Sequence, residues 1–103
     1  MNEASRSLPT VSDEALVREM EIVNRKGLHA RATAKFVQCV EQFAAEVSVS
    51  RAGETVGGTS IMGILTLGAG IGSTIIVTAR GDEAAEVLDA IANLVANRFG
   101  EEE

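Results

Sequence analysis

Residues 55–79 contain no charged side chain, and that run limits what the chain can become. It can cross a bilayer or fill a core, and 61–79 is long enough for a spanning helix. The residues inside it favour the core. Gly63, Gly68, Gly70 and Gly72 interrupt the run, and Thr66, Ser73, Thr74 and Thr78 place hydroxyls in it, so it divides into a short helix, a turn and a strand. With 103 residues, 46% of them hydrophobic, the chain is one domain with a radius of gyration of about 13 Å. A body of that size has one core and little room for an enclosed substrate chamber, which places function on the surface.

The rest of the chain alternates the two hydrophobic periods. Residues 19–22, Glu-Met-Glu-Ile, alternate as a strand with one wet face does, and Val23 extends the pattern towards a turn at Asn24-Arg25-Lys26-Gly27. From 30 to about 44, Phe36, Val37, Val40, Phe43 and Ala44 fall at helical spacing, with Lys35, Gln38, Glu41 and Gln42 on the opposite face. Val47-Ser48-Val49-Ser50 and Thr55-Val56 flank a turn at 52–54 and read as a hairpin. Ser60 caps a helix over 61–67 that Gly68 ends, and 74–78 reads as a buried strand. Asp82 and Glu83 open a last helix with the stripe Ala84, Val87, Leu88, Ile91, Leu94 and Val95, which Gly100 and the glutamates end.

The order is βαββαβα, an α+β class: a four-stranded, mainly antiparallel sheet with three helices on one face. Residues 1–15 read as a disordered extension, 16–100 as the domain and 101–103 as an acidic tail.

Nine Lys+Arg against fifteen Asp+Glu give a net charge of −6, the wrong sign for gripping nucleic acid or an anionic membrane. No Trp or Tyr is present to stack on bases. A single cysteine, Cys39, allows no internal disulfide, and 1–6 lack the apolar stretch of a signal peptide, so a cytoplasmic setting is expected. One histidine and one cysteine make no metal set, and nothing points to a cofactor. Asp82, Glu83 and Glu86 read as helix-start acids, and Cys39 as a structural or half-exposed helical residue.

Positive charge is nevertheless concentrated. Arg25, Lys26, Arg31 and Lys35 lie between Glu21 and Glu41 with no acid among them, and His29, the only histidine, is in their midst. It falls where the turn feeds the first helix, beside free N–H groups and the positive end of the helix dipole, a place suited to an anion. An imidazole with a reference pKa of about 6.5 is largely an uncharged nucleophile at neutral pH. It can accept a phosphoryl group that the helix start and Arg31 then steady. The same cations also suit a module that binds an anionic metabolite through Arg25, Lys26 and Arg31. Ser60 is a helix cap or a phosphorylation site. Ile61, Met62 and Leu65 point partly outward beside it, as a docking surface does. The glycines at 68–72 follow a helix and precede a strand, the reverse of a nucleotide loop, and read as a turn.

Gly27-Leu28-His29-Ala30-Arg31-Ala32, followed by Ser60-Ile61-Met62-Gly63 and Leu67-Gly68, resembles the histidine phosphocarrier (HPr) family over roughly residues 17–99. The resemblance implies that family's open-faced sandwich. It also implies a monomeric carrier of the phosphoenolpyruvate-dependent phosphotransferase system that does not turn over substrate alone. Enzyme I would phosphorylate His29, at Nδ1, and an enzyme IIA domain would receive the group. Arg31 and the backbone amides of Ala30 and Arg31 would hold the phosphate, and Ile61, Met62 and Leu65 would meet the partners. Ser60 matches the serine that some members present to an HPr kinase/phosphorylase. Ala32 stands where the family often has proline; alanine supports a helix and adds an N–H.

Overall fold

The computed structural model describes residues 14–103, so the expected N-terminal extension lies, apart from Glu14 and Ala15, outside the described residues. Among the described residues, four strands and three helices follow in the order β1 (Leu16–Glu21), α1 (Ala30–Val40), β2 (Glu46–Arg51), β3 (Glu54–Gly57), α2 (Ile61–Thr66), β4 (Thr74–Arg80) and α3 (Ala84–Ala96). A single turn over Arg98–Gly100 closes the fold. The uncharged run thus becomes β3, α2 and β4, and no helix among the described residues is long and apolar enough to cross a membrane.

The sheet has the order β1-β4-β2-β3, and every pairing is antiparallel. Register sets the inner face: Met20 pairs with Ile75, Val49 with Val77, and Val47 with Ala79, and all six are buried. Their neighbours point the other way, where Val17 meets Thr78 and Glu19 meets Ile76. The buried strand read at 74–78 is β4, and because side chains alternate along a strand it is buried on one face. The helices cover the inner face with Phe36, Val37 and Val40 of α1, Ile64 of α2 and Val87, Leu88, Ile91 and Val95 of α3. The α+β open-faced architecture is that expected from the sequence.

Boundaries differ from the periodic reading where local bonds intervene. β1 runs over 16–21 rather than 19–23, because Ile22 leaves the ladder to bond the 72–73 loop through both its N–H (to Ser73, 2.8 Å) and its carbonyl (from Gly72, 2.7 Å). α1 ends at Val40. Beyond it, the N–H groups of Gln42 and Phe43 bond back three residues, to Cys39 and Val40, tightening the chain into turns, although Phe43 still packs on the core. Helix α3 starts at Ala84, and the Glu83 carboxylate turns from the helix to accept the Ala44 N–H at 2.7 Å.

The short α2 depends on three neighbours. Ser60 Oγ accepts the Gly63 N–H at 3.0 Å at its start, and the Arg51 guanidinium donates to the Leu67 carbonyl at 2.9 Å at its end. Gly63 lets the helix lie close to β3: a Cβ there would stand 3.0 Å from the Val56 Cβ and 2.8 Å from Ser60 Oγ.

Candidate functional site

His29 is the N-cap of α1, with extended backbone (φ −76°, ψ −178°). Its carbonyl accepts the Thr33 N–H at 2.8 Å, the first bond of the helix, and its Nδ1 accepts the Arg31 N–H at 3.3 Å. Capping by an imidazole replaces the usual Ser, Thr, Asp or Asn, and it aims Nδ1 at the positive end of an eleven-residue helix. Ala32 is buried in the first turn, so the helix starts normally without a proline.

The turn that delivers His29 is braced from two sides. Asn24, fully buried, donates through Nδ2 to the Gly27 carbonyl at 2.9 Å, and the Gly27 N–H returns to the Asn24 carbonyl at 3.1 Å. Gly27 has φ +69°, and a Cβ there would stand 2.6 Å from the Ala69 oxygen and 2.8 Å from the Gly70 Cα. Only glycine meets both conditions. The close approach lets the Leu28 N–H bond the Ala69 carbonyl at 2.9 Å. The glycine-rich stretch at 68–72 is therefore a brace for the histidine turn.

The residue that periodicity could not find is Glu101. Its carboxylate Oε2 meets His29 Nε2 in a very short contact, and its Oε1 accepts from Asn24 Nδ2 at 3.0 Å. Side-chain exposures of 28% for His29 and 19% for Glu101 show a pair partly withdrawn from water. The Asn24 hydrogen bond, then that of His29, and the nearby charges of His29 and Lys26 hold the Glu101 carboxyl below the usual carboxylate range, against the opposing effect of burial.

The final helix does not run on to Gly100. Asn97 caps it, and Arg98, Phe99 and Gly100 take positive φ values of 58°, 54° and 78°. That sharp reversal sends the chain back to the histidine. Phe99 is completely buried, and the Lys35 ammonium holds its carbonyl at 2.7 Å. Glu103 extends the contact: its carbonyl accepts the Arg25 N–H, and its carboxylate takes the Arg25 guanidinium, both in reach of one another. Residues 101–103, read from sequence as a tail, thus close over the site.

Among the sequence candidates, His29, Ala30 and Arg31 come together at the start of α1, and the exposed Arg31 guanidinium makes no hydrogen bond or ion pair among the described residues. Of the cations proposed to meet an anionic metabolite, Arg25 is paired with Glu103, and Arg25 and Lys26 line a cleft of about 220 Å³ together with Glu101, Glu102 and Glu103. Ser60 uses its hydroxyl as the cap of α2. Ile61 (43% exposed) and Met62 (71%) face outward, while Leu65 is half-buried and Ile64 and Leu67 are inside. Ile71, exposed in the bracing loop, adds an apolar side chain that the helical spacing did not include.

The chain is similar to known proteins over most of its length. The family model described as "PTS HPr component phosphorylation site" matches residues 16–97. Phosphocarrier protein HPr of Cupriavidus necator is 48% identical over 88 residues, covering 85% of this chain and 99% of that one. Phosphocarrier protein NPr of Shewanella violacea is 37% identical over 86 residues, covering 84% and 94%. Among solved structures, HPr-C-His from Thermoanaerobacter tengcongensis superposes with a TM-score of 0.82 at 38% identity, covering 85% of this chain and 99% of that chain.

Proposed function

The chain belongs to the HPr family of phosphotransferase-system phosphocarriers, and on that premise we propose that it accepts a phosphoryl group on His29 from phosphorylated enzyme I and passes it to an enzyme IIA domain. The observation that carries this reading is the pair of hydrogen bonds on the imidazole. Nδ1 accepts an N–H and therefore holds a lone pair, and Nε2 faces a carboxylate and therefore holds the proton. This tautomer, assigned from those partners, makes Nδ1 the nucleophile.

In the transfer, the Nδ1 lone pair attacks the phosphorus of a protonated phosphohistidine on enzyme I. The new P–Nδ1 bond forms as the donor's P–N bond breaks, and that electron pair returns to the donor nitrogen. The N–H groups of Ala30 and Arg31, with no helical carbonyl to bond, and the Arg31 guanidinium, unpaired among the described residues, then face the phosphoryl oxygens. Passing the group on is the same step with His29 as the donor. The protein works as a carrier between partners, in the cytoplasm, and contributes no turnover alone.

The outward side chains of Ile61 and Met62, with Leu65 behind them, form the apolar part of the partner contact. Such a contact has to be small, since a carrier must leave one protein to reach the next. Phosphate on Ser60, supplied by an HPr kinase/phosphorylase, would place about −1.5 to −2 charges beside that apolar surface and weaken enzyme I docking.

The test is the intact mass of the chain after incubation with phosphoenolpyruvate, magnesium and enzyme I. One acid-labile phosphoryl addition is the expected result; no addition, with the chain's cognate enzyme I present, refutes the reading. Ser60→Asp in the same assay should load several-fold more slowly, and equal rates would remove Ser60 from regulation.

A further inference from the structure

Glu101 lies outside the stretch matched by the family model, yet its carboxylate meets His29 Nε2. We propose that Glu101 is a positioning residue that holds the Nε2 proton of His29 through the whole phosphoryl cycle, fixing Nδ1 as the nucleophile before transfer and keeping the loaded ring cationic afterwards. The proposal rests on the carrier reading above and deepens it.

The chemistry follows from where the proton is. An unpartnered imidazole divides its proton between two nitrogens, and only the Nε2–H form has a lone pair on Nδ1. A carboxylate at Nε2 selects that form, while the Arg31 N–H at Nδ1 disfavours the other. Once phosphorus is bonded to Nδ1, a ring that keeps its Nε2 proton carries a positive charge, and the negative Glu101 beside it stabilises that charge. When an acceptor's nitrogen attacks the phosphorus, the P–Nδ1 pair returns to Nδ1 and leaves a neutral imidazole with its proton still on Nε2. No proton has to be found in either direction. Without the carboxylate, the loaded ring loses Nε2–H to water more readily, and the leaving group becomes an anionic imidazolate, a far poorer one.

The surroundings hold Glu101 in the ionised form this role requires. Asn24 donates to its Oε1, and Lys26 lies near enough for its charge to act, while Arg25 is occupied by Glu103. From α1, Arg31 is on the Nδ1 side of the ring and Lys35 is engaged by the Phe99 carbonyl. The acids facing the site, Glu102 and Glu103, come from the same C-terminal segment. The completely buried Phe99, two residues before Glu101, anchors that segment and fixes the carboxylate's approach.

The test uses the full chain and the variants Glu101→Gln, Glu101→Ala and Glu101→Asp. Imidazole nitrogen NMR on the unphosphorylated proteins at pH 8 should give the Nε2–H tautomer alone in wild type and a mixture of both in Glu101→Ala. The phosphorylated proteins, separated from enzyme I, are then followed by intact mass as they lose phosphate. At pH 8 Glu101→Gln should lose its phosphoryl group about tenfold more slowly than wild type, which corresponds to about 1.4 kcal/mol. The gap should narrow at pH 5, where solvent keeps the ring protonated, and Glu101→Asp should restore part of the pH 8 rate. An unchanged tautomer in Glu101→Ala, or equal pH 8 rates in wild type and Glu101→Gln, would overturn the proposal. Failure of wild type to load at all would overturn the carrier reading instead, and the tautomer spectra would still decide the role of Glu101.

Discussion

His29→Ala is expected to take up no phosphoryl group under conditions that load the wild-type chain completely. The effect is all-or-none because the sequence holds no second histidine, and the side chain at the start of α1 supplies the whole nucleophile. The substitution also removes a helix cap, at a cost of about 1 kcal/mol, and the partner of Glu101. For a domain this size, each kcal/mol lowers the unfolding midpoint by roughly 4–8 °C, so the variant should be less stable but folded. His29→Asn separates the two effects, since asparagine is a strong N-cap that cannot carry phosphate as an imidazole does. Both variants should fail to load, with His29→Asn the more stable. Any phosphoryl addition to folded His29→Asn would place the acceptor elsewhere.

Phe99→Ala is expected to cost about 3–5 kcal/mol of unfolding free energy, a large part of the roughly 5–15 kcal/mol that holds a small domain together. Phe99 is one of three phenylalanines, is completely sealed from solvent, and occupies a left-handed backbone conformation that alanine relieves no better. The side chain is therefore what holds the reversed turn in place. Its loss should free the segment that follows, so Glu101 leaves His29 and the tautomer spectrum of Phe99→Ala should resemble that of Glu101→Ala. Urea unfolding measures the first part. A loss under about 1 kcal/mol would mean that the C-terminal turn is not anchored in the core, because surface changes usually stay within ±0.5 kcal/mol.

The two halves of the site differed in how far the sequence revealed them. His29, Ala30 and Arg31 were legible because local rules place them: a glycine turn feeding an amphipathic helix, with basic residues and no acids around it. Ser60 and the outward Ile61 and Met62 followed from the same capping and periodicity. Glu101 was not legible, because its role depends on a meeting with a residue 72 positions away, which no helical or strand period encodes. Acidic residues at a chain end also have a ready reading as solvated charge.

One signal was nonetheless present. Phe99 follows the last apolar residue of the α3 stripe and precedes Gly100, a bulky apolar side chain beyond the helix with a residue that permits reversal next to it. That combination suits a chain turning back to its core better than a tail. Gly27 has a similar history: its place in a turn was clear from the sequence, but the approach of the Ala69 carbonyl that excludes a side chain there was not. Boundaries moved where tertiary bonds competed with the ladder or the helix, as Ile22 did with the 72–73 loop.

A carrier must both take up a phosphoryl group on His29 and give it up. The most direct measurement is a single discharge: the chain is loaded, freed of enzyme I and phosphoenolpyruvate, and mixed with an excess of an enzyme IIA domain, with both masses followed in time. The chain should return to its unmodified mass as the acceptor gains one phosphoryl group, in equal amounts. A phosphoryl group that stays on the chain, or leaves only as free phosphate with the chain's cognate acceptor present, would contradict it.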